Sequence, residues 1–340
     1  MKRYLSAAAI VPVLAVAMTC SANAEPKTIR VDTYAGPQHA VNAAGLDVWA
    51  KQVEEASNGE LKVELSYPPI NPRDIMDRVR SGITDVGWIT HGYTTGRFVL
   101  TDMVELPGNG GNAEQASRAY WKVYNEEFAD LGEHKGVVPI ALFVHGPGMI
   151  HTSKPIESID DLEGLKIRTG GGTQGEIAKR LGLVTVSAPV TKAQELLSQG
   201  VADGVLFSLE TIKSFNLGDI VTYHYGMPDN LYTSSMAIVI NENFLDSLTD
   251  SQKEAFWSVS GEELSGLIGS AWDGADTDAE ETFGADSVVT FDGEMKDKVD
   301  AALAGMDEEW VARAQEAGAD DAAEVLEKYR AEIQNQKSAN

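Results

Sequence analysis

Arg168 is the residue whose type and position best suit the binding of a small ligand. It ends residues 165–168, where apolar and basic side chains alternate with the period of a short strand that has one buried face. Glycines at 170–172 stop the strand, and Thr173 is expected to cap a helix that runs to Leu181. A guanidinium beside flexible backbone and the positive end of a helix favours an anion. The alternative is an arginine paired with a surface carboxylate.

The first 24 residues predict a secretory signal peptide that is cleaved after Ala24. Basic residues precede an apolar run that is too short to span a membrane, and Ala22-Asn23-Ala24 supplies the small-x-small cleavage pattern. The only cysteine, Cys20, lies inside this segment, so the mature chain is expected to have no thiol or disulfide. The net charge of −25 argues against nucleic acid and anionic lipid as partners. We expect a periplasmic protein without stable membrane insertion.

The alternation of strands and helices predicts an α/β protein with two lobes. The 340 residues less the signal peptide of 24 leave 316, which is too many for one compact core. Strands and helices alternate over residues 28–89, which implies a largely parallel sheet that binds ligands at its carboxyl edge. Residues 81–87 resemble 199–205, either by chance or because each lobe has the same helix–glycine–strand unit. The expected division is lobe I at 25–145 and about 236–270, lobe II at 146–235 and about 271–325, and a polar C-terminal tail at 326–340.

A long helix is expected to lie across both lobes. The residues from Thr249 to Gln252 form a capping box, and the apolar pattern that follows continues towards Glu281. Acidic residues at 273–280 resemble a calcium loop in composition but lack its glycine. We therefore expect them on a solvated helical face.

Several kinds of catalytic and cofactor site are excluded by the motifs. Residues 170–175 satisfy G-x-G-x-x-G, but the next strand ends in Ala188-Pro189 rather than in the acidic residue of a dinucleotide site. The six histidines form no close metal-binding pair, and the chain has no G-x-S-x-G. We expect no enzyme activity, no cofactor and no metal site, although a cation that bridges protein and ligand stays open.

Several motifs resemble the dicarboxylate-type (DctP) solute-binding proteins of tripartite ATP-independent periplasmic (TRAP) transporters. They are Leu-Glu-Gly-Leu-Lys-Ile-Arg-Thr at 162–169, Gln-Gly-Val-Ala-Asp-Gly at 199–204, and residues 92–107 with their Gly-Arg-Phe and Glu-Leu-Pro. The resemblance covers nearly all of the mature chain. It implies a type II-like, two-lobe periplasmic binding protein that closes on an organic acid and delivers it to a sodium-driven permease. It also implies that Arg168 holds the ligand carboxylate.

Two departures from the family pattern bear on the ligand. Met149 stands where many members have another arginine, and Phe207 stands where many have an asparagine. A C4-dicarboxylate or sialic acid would lose polar partners that it needs when it is desolvated. We expect a monocarboxylate with a less polar body, such as an aromatic or branched one.

Further residues are candidates for the ligand site. Trp88, Tyr93 and Tyr232 could form pocket walls together with Phe207, or could be core residues. Glu210 would suit the ammonium group of a betaine-like zwitterion or a bridging cation, or could be a solvated helix residue. Arg97 is either a second anion contact or, as we favour, part of a structural ion pair. Other possible functions are binding of a sulfonate, a periplasmic sensor subunit, and an exported hydrolase or lyase.

Overall fold

The computed structural model describes residues 25–339, so the predicted signal peptide lies outside the described residues. The strands are β1 (Lys27–Asp32), β2 (Leu61–Ser66), β3 (Val86–Thr90), β4 (Val138–Val144), β5 (Met149–Thr152), β6 (Lys166–Thr169), β7 (Val184–Ser187), β8 (Gly204–Phe207), β9 (Tyr223–Gly226), β10 (Ser235–Ile240) and β11 (Val288–Thr290). The α-helices are α1 (Asp47–Ala56), α2 (Ile75–Arg80), α3 (Ala113–Glu127), α4 (Gly172–Arg180), α5 (Ala193–Ser198), α6 (Leu209–Ser214), α7 (Glu242–Asp246), α8 (Asp250–Trp257), α9 (Glu262–Phe283), α10 (Gly293–Leu303), α11 (Met306–Glu316) and α12 (Ala322–Ala339). Over this part of the chain, no helix combines the length and apolar character needed to cross a bilayer.

The strands form two sheets, each largely parallel with one antiparallel strand. The first sheet has the order β2-β1-β3-β10-β4, in which β10 is antiparallel to β3 and β4. The second has the order β11-β9-β5-β8-β6-β7, in which β5 is antiparallel to β8 and β9. We call the first sheet, with the helices packed on it, lobe I. The second sheet and its helices are lobe II. Where one lobe gives way to the other along the chain stays a prediction.

The burial of the strands follows their position in the sheets. The central strand β10 is buried along its whole length, and its sequence Ser-Met-Ala-Ile-Val-Ile is apolar on both faces. The edge strand β2 instead alternates buried Leu61 with more exposed polar side chains. A strand covered on both faces needs a continuous apolar run, whereas an edge strand with one wet face does not.

The sequence echo around Asp85 and Asp203 is a repeated structural unit. The Asp85 N–H donates to the Arg30 carbonyl at 3.1 Å, and the Asp203 N–H donates to the Lys166 carbonyl at 2.6 Å. In return, each carboxylate accepts the backbone N–H of that same residue, at 2.9 Å in both lobes. Each aspartate thus holds the start of one strand next to its parallel neighbour through two hydrogen bonds. The same arrangement occurs in both lobes.

The long helical stretch is divided in two at Gly261. Helix α8 begins with the expected capping box of Thr249 and Gln252 but ends at Trp257. Helix α9 starts after Gly261, whose φ of 69° is a left-handed conformation that favours glycine and interrupts the helix. Helix α9 still contacts both lobes, since it packs on α3 and β4 of lobe I and on α6 of lobe II.

The C-terminal segment is a packed helix, which corrects the polar tail expected at 326–340. Helix α12 buries Leu326, Tyr329 and Ile333. These residues are spaced three and four apart, so they form one apolar stripe on an otherwise polar helix. The stripe packs on the core that includes α3. Because most other residues of this segment are polar, its composition alone suggested a polar tail.

Candidate functional site

A cavity lies between the two lobes, at the carboxyl edges of both sheets. About 530 Å³ of space that holds no protein atoms, including space open to solvent, lies among its lining residues. Its walls come from segments that follow strands of both lobes, together with the start of β10 and helix α9. The lining residues are Tyr34, His39, Trp88, Thr90, Gly92, Tyr93, Glu105, His145, Arg168, Gly170, Gly171, Gln174, Val190, Phe207, Thr211, Phe215, Ser234, Met236 and Trp272.

Arg168 is a buried cation with no anionic partner in the described part of the chain. It is 1 % exposed, yet no carboxylate oxygen of residues 25–339 lies within 4.0 Å of its guanidinium. Its Nε donates to the Ala188 carbonyl at 2.8 Å, and its Nη2 lies 3.5 Å from the Tyr93 hydroxyl. Burial lowers the pKa of Arg168 from its ordinary value. A buried charge needs a partner, so this position is suited to an anionic ligand.

Phe207 covers the guanidinium of Arg168. The Arg168 Cζ lies 4.3 Å from the centre of the Phe207 ring, a geometry in which the ring face attracts the cation. Phe207 ends β8, which pairs with β6 in parallel. Neighbouring strand ends therefore place the ring and the cation together, and the ring keeps water away from one face of the charge.

The glycines after Arg168 allow the two lobes to approach closely. Gly171 has a φ of 101°, and a Cβ on it would lie 2.7 Å from the carbonyl oxygen of Gly92 in lobe I. Helix α4 begins at Gly172, and Gly171 is its N-cap. Thr173 therefore lies inside the helix and is not its cap, because the chain already turns into the helix at the glycines. Because the backbones of the two lobes are in contact here, we interpret the structure as the closed form.

Aromatic rings line the rest of the cavity. The ring centres of Tyr34 and Trp88 are 4.3 Å apart, and His39 lies 5.2 Å from Trp88 and 5.3 Å from Trp272. Phe215 lies 6.0 Å from His39. Burial lowers the pKa of His39, so its ring is neutral at pH 7 and contributes an apolar face. Such a wall suits a flat or branched apolar group.

A chain of hydrogen bonds fixes the polar side of the cavity. Gln174 Nε2 donates to Ser234 Oγ at 2.7 Å, and Ser234 lies 2.9 Å from His145 Nε2. His145 Nδ1 lies 2.6 Å from the Gly146 carbonyl, so this nitrogen carries the proton and Nε2 accepts from Ser234. Burial lowers the pKa of His145 to about 4. The network is therefore neutral, and it brings together β4, β10 and α4.

Glu105 is the one acidic residue among those that line the cavity. Burial, followed by the nearby charge of Asp102, holds the pKa of Glu105 well above its ordinary range. Its Oε1 accepts the Ser235 N–H at 2.8 Å. A carboxyl that holds its proton more readily contributes less negative charge beside Arg168.

Four of the residues predicted for the site meet in the cavity, and four do not line it. Arg168, Phe207, Trp88 and Tyr93 line it together. The remaining four residues lie outside the cavity lining: Met149, Tyr232, Glu210 and Arg97. Their roles in ligand binding stay predictions, but their positions point to structural contacts.

Met149 and Tyr232 are core residues beside the cavity. Met149 packs with Leu209 and Ala279. The ring of Tyr232 lies against Gly148, where a Cβ would be 2.4 Å from the ring, and 5.5 Å from the His145 ring. An apolar or aromatic residue type does not by itself distinguish a pocket wall from the core behind it.

Glu210 and Arg97 make contacts outside the cavity. The Glu210 carboxylate lies 3.7 Å from His39 Nε2, so it faces the back of a cavity wall. Arg97 lies 3.4 Å from the carbonyl oxygens of Glu133 and Lys135 and stacks on the ring of Phe98. Within residues 25–339 Arg97 forms no ion pair, because the groups next to it are carbonyls. In the same part of the chain, no cluster of three or more His, Cys, Asp or Glu residues could hold a metal ion.

Lining residues that were not predicted from the sequence include His145, Ser234, Gln174, His39 and Trp272. His145 directly follows the apolar strand β4. Its position at the end of a strand, which is the pattern that pointed to Arg168, could therefore have predicted it. Ser234 precedes β10, which is antiparallel and therefore starts at the same edge. His39 and Trp272 carry no such signal, because only the packing of α9 brings them together.

The chain matches one protein family over nearly its whole length. The family is described as bacterial extracellular solute-binding protein, family 7 (DctP), and its model matches residues 33–333. The chain belongs to this family. The family, the two-lobe α/β fold and solute binding, which the motifs predicted, are thereby confirmed.

Solved structures and a curated relative resemble this solute-binding protein. A TRAP periplasmic solute-binding protein from Bordetella bronchiseptica, with bound (R)- and (S)-mandelate, is 34% identical; the match covers 91% of this chain and 99% of that one, with a TM-score of 0.88. A TRAP solute-binding protein from Rhodoferax ferrireducens, in complex with benzoate, is 27% identical over 92% of this chain and 99% of that one, with a TM-score of 0.85. The protein TsaT of Comamonas testosteroni, named an outer membrane transporter protein, is 26% identical over 77% of each chain.

Proposed function

We propose that this solute-binding protein captures an aromatic or branched monocarboxylate between its lobes. The observation that carries the proposal is the buried guanidinium of Arg168, which has no carboxylate partner within residues 25–339. A single buried cation offers a matching site for one carboxylate. A second ligand carboxylate would be desolvated without a partner, which argues against dicarboxylates.

The walls of the cavity support a ring or a branched group as the body of the ligand. Tyr34, Trp88, Phe207, Phe215 and Trp272 supply aromatic faces around the space next to Arg168. Mandelate and benzoate, which are bound in two similar proteins, are both aromatic monocarboxylates. The betaine alternative is disfavoured, because Glu210 faces His39 rather than the cavity.

We infer further that the protein acts in the periplasm and delivers its ligand to a TRAP permease. The signal peptide expected at residues 1–24 supports export, with cleavage after Ala24. Mass spectrometry of the protein from a periplasmic fraction tests this. A mature chain that starts at Glu25 is expected, and a chain that retains residues 1–24 in the cytoplasm would contradict it.

Calorimetry with a panel of small ligands tests the ligand class. The panel contains benzoate, both mandelate enantiomers, cyclohexanecarboxylate, 3-methylbutanoate, succinate, benzenesulfonate and glycine betaine. We expect binding of one or more of the ring-bearing or branched carboxylates, and recovery of the ligand chemically unchanged. Tightest binding of succinate, benzenesulfonate or betaine would overturn the ligand class, and a turned-over ligand would favour the hydrolase or lyase.

A further inference from the structure

Tyr93 belongs to lobe I but makes its polar contacts with lobe II. It follows β3 and lines the cavity, and only 8 % of it is exposed. Its hydroxyl oxygen accepts the backbone N–H of Val190 at 3.0 Å and lies 3.5 Å from Arg168 Nη2. Val190 follows β7 and Arg168 lies in β6, so both partners belong to lobe II. One phenol thus joins the two lobes.

The Tyr93 hydroxyl has one hydrogen left to donate. A phenolic oxygen can accept with its lone pairs and donate one proton. The N–H groups of Val190 and Arg168 approach the oxygen as donors, and no residue within 25–339 accepts the Tyr93 proton. Tyr93 lines the cavity beside Arg168. A carboxylate held by Arg168 is therefore placed to accept the Tyr93 proton with its second oxygen.

The backbone next to Tyr93 is also where the lobes touch. A Cβ on Gly171 of lobe II would lie 2.7 Å from the carbonyl oxygen of Gly92, the residue before Tyr93. No side chain fits between the two backbones here. The position of Tyr93 relative to Arg168 and Val190 therefore depends on closure of the lobes.

We propose that Tyr93 is a positioning residue that couples the ligand carboxylate to lobe closure, a role that rests on the proposed function. In the closed form Tyr93 donates to the carboxylate and accepts from Val190, and each bond strengthens the other because the hydroxyl is polarised. The open form cannot make this bridge. The ligand thus interacts better with the closed form and shifts the population towards it.

Tyr34 provides a matched control. It also lines the cavity, and its ring centre lies 6.3 Å from that of Tyr93. Its hydroxyl, however, is bonded to Thr90 Oγ1 at 2.7 Å, inside lobe I. Tyr93→Phe and Tyr34→Phe therefore each remove one hydroxyl from a residue that lines the cavity, and only the first removes a contact between the lobes.

The test measures affinity and closure in the same variants, with benzoate as the probe. The only cysteine of the sequence is Cys20, in the predicted signal peptide, so Lys51→Cys in lobe I and Lys179→Cys in lobe II give a labelled pair for energy transfer. Calorimetry gives the affinity, stopped-flow mixing gives the dissociation rate, and thermal unfolding checks that each variant is folded.

We expect Tyr93→Phe to weaken benzoate binding by roughly tenfold or more, the range of a lost charge-assisted hydrogen bond. It should also speed dissociation and lower the closed fraction at saturating benzoate. Tyr34→Phe changes the cavity wall itself, so the two variants are compared on closure, and the closed fraction of Tyr34→Phe at saturating benzoate should equal that of wild type. If wild type binds benzoate and closes, and Tyr93→Phe and Tyr34→Phe reach the same closed fraction, the role of Tyr93 is overturned. The proposed function would not be affected by that result. A wild-type protein that binds no carboxylate would overturn the proposed function and this role with it.

Discussion

Asp32 of lobe I and Arg168 of lobe II occupy the same place in the repeated unit. Asp32 pairs with Gly87, two residues after Asp85, and Arg168 pairs with Val205, two residues after Asp203. Both lie in a central parallel strand, and both are buried. In lobe I the charge is neutralised by the protein, since Arg78 donates to Asp32 from Nε at 3.0 Å and from Nη2 at 2.6 Å. In lobe II no carboxylate of the described residues meets Arg168.

The difference shows how one fold unit serves stability in one lobe and binding in the other. A buried charge lowers stability unless it is paired. Asp32 has a protein partner and also accepts from Ser66 Oγ at 2.7 Å. Within residues 25–339, the hydrogen-bond partners of Arg168 are only the Ala188 carbonyl and the Tyr93 hydroxyl. The asymmetry leaves one cation for a ligand at the edge of lobe II.

The largest expected effect is the loss of ligand affinity in Arg168→Ala. The ligand carboxylate would then be buried without a partner, which costs roughly 3–5 kcal/mol, or a hundred- to several-thousandfold in affinity. Calorimetry with the tightest carboxylate of the panel measures it. Arg97→Ala is the matched control, because Arg97 bonds to carbonyls outside the cavity and its loss should leave affinity unchanged.

A second prediction contrasts the two charges in the ligand-free protein. Asp32→Ala leaves Arg78 without its carboxylate and should lower the free energy of unfolding by about 3 kcal/mol. Arg168→Met removes an unpaired buried charge and should raise the free energy of unfolding by about 1 kcal/mol or leave it unchanged. Urea unfolding of dialysed protein measures both. Equal destabilisation by the two substitutions would show that Arg168 has a structural partner in the absence of ligand.

A third prediction concerns helix α9, which caps one helix in each lobe. Asp273 accepts the N–H groups of Ala113 and Glu114 at the start of α3, and Asp276 Oδ1 accepts the Glu210 N–H in α6. The expectation that both are solvated is wrong, because these backbone contacts need them at the interface. Asp276 Oδ2 has no partner within residues 25–339, and burial raises the pKa of Asp276 to about 8.

The raised pKa of Asp276 fixes the direction of a pH effect. The native state keeps a proton that the unfolded state releases above its ordinary pKa of 3.8, so stability falls as the pH rises from about 4 to about 8. Asp276→Asn keeps an oxygen for the Glu210 N–H and does not titrate. Its stability relative to wild type should rise over this range by at most about 1.4 kcal/mol per pH unit and level off above it. Asp273→Asn should change less, because both Asp273 oxygens have N–H partners. Urea unfolding at a series of pH values measures the free energy of unfolding of each variant. If this free energy depends on pH in the same way in wild type and in Asp276→Asn, the assignment is ruled out.

The sequence was sufficient to predict the residues that stand at strand ends. Arg168 lies near the end of β6 and Phe207 is the last residue of β8, and the repeated aspartates mark the strands that lead to the cavity edges. Local pattern was not sufficient where packing between distant segments decides the outcome. The bond from Ser234 to His145 joins residues 89 positions apart, and the buried stripe of α12 is diluted by polar residues. Tyr232 and Trp88 are both large aromatic residues, and the sequence alone does not show that the Tyr232 ring packs against Gly148 while Trp88 lines the cavity.

The smallest effects should come from the aspartates that define the repeat. Asp203→Ala removes the bond to the Lys166 N–H and should cost about 1 kcal/mol. Asp85→Ala should cost about 2 kcal/mol, since Asp85 also binds the Arg30 side chain through Nε and Nη2, each at 2.8 Å. In an Arg30→Met background the cost of Asp85→Ala should fall to that of Asp203→Ala, because only the shared backbone bond remains. A neutral Asp203→Ala in urea unfolding would mean that the shared geometry does not stabilise lobe II, so only the charge difference between Asp32 and Arg168 would remain to be explained.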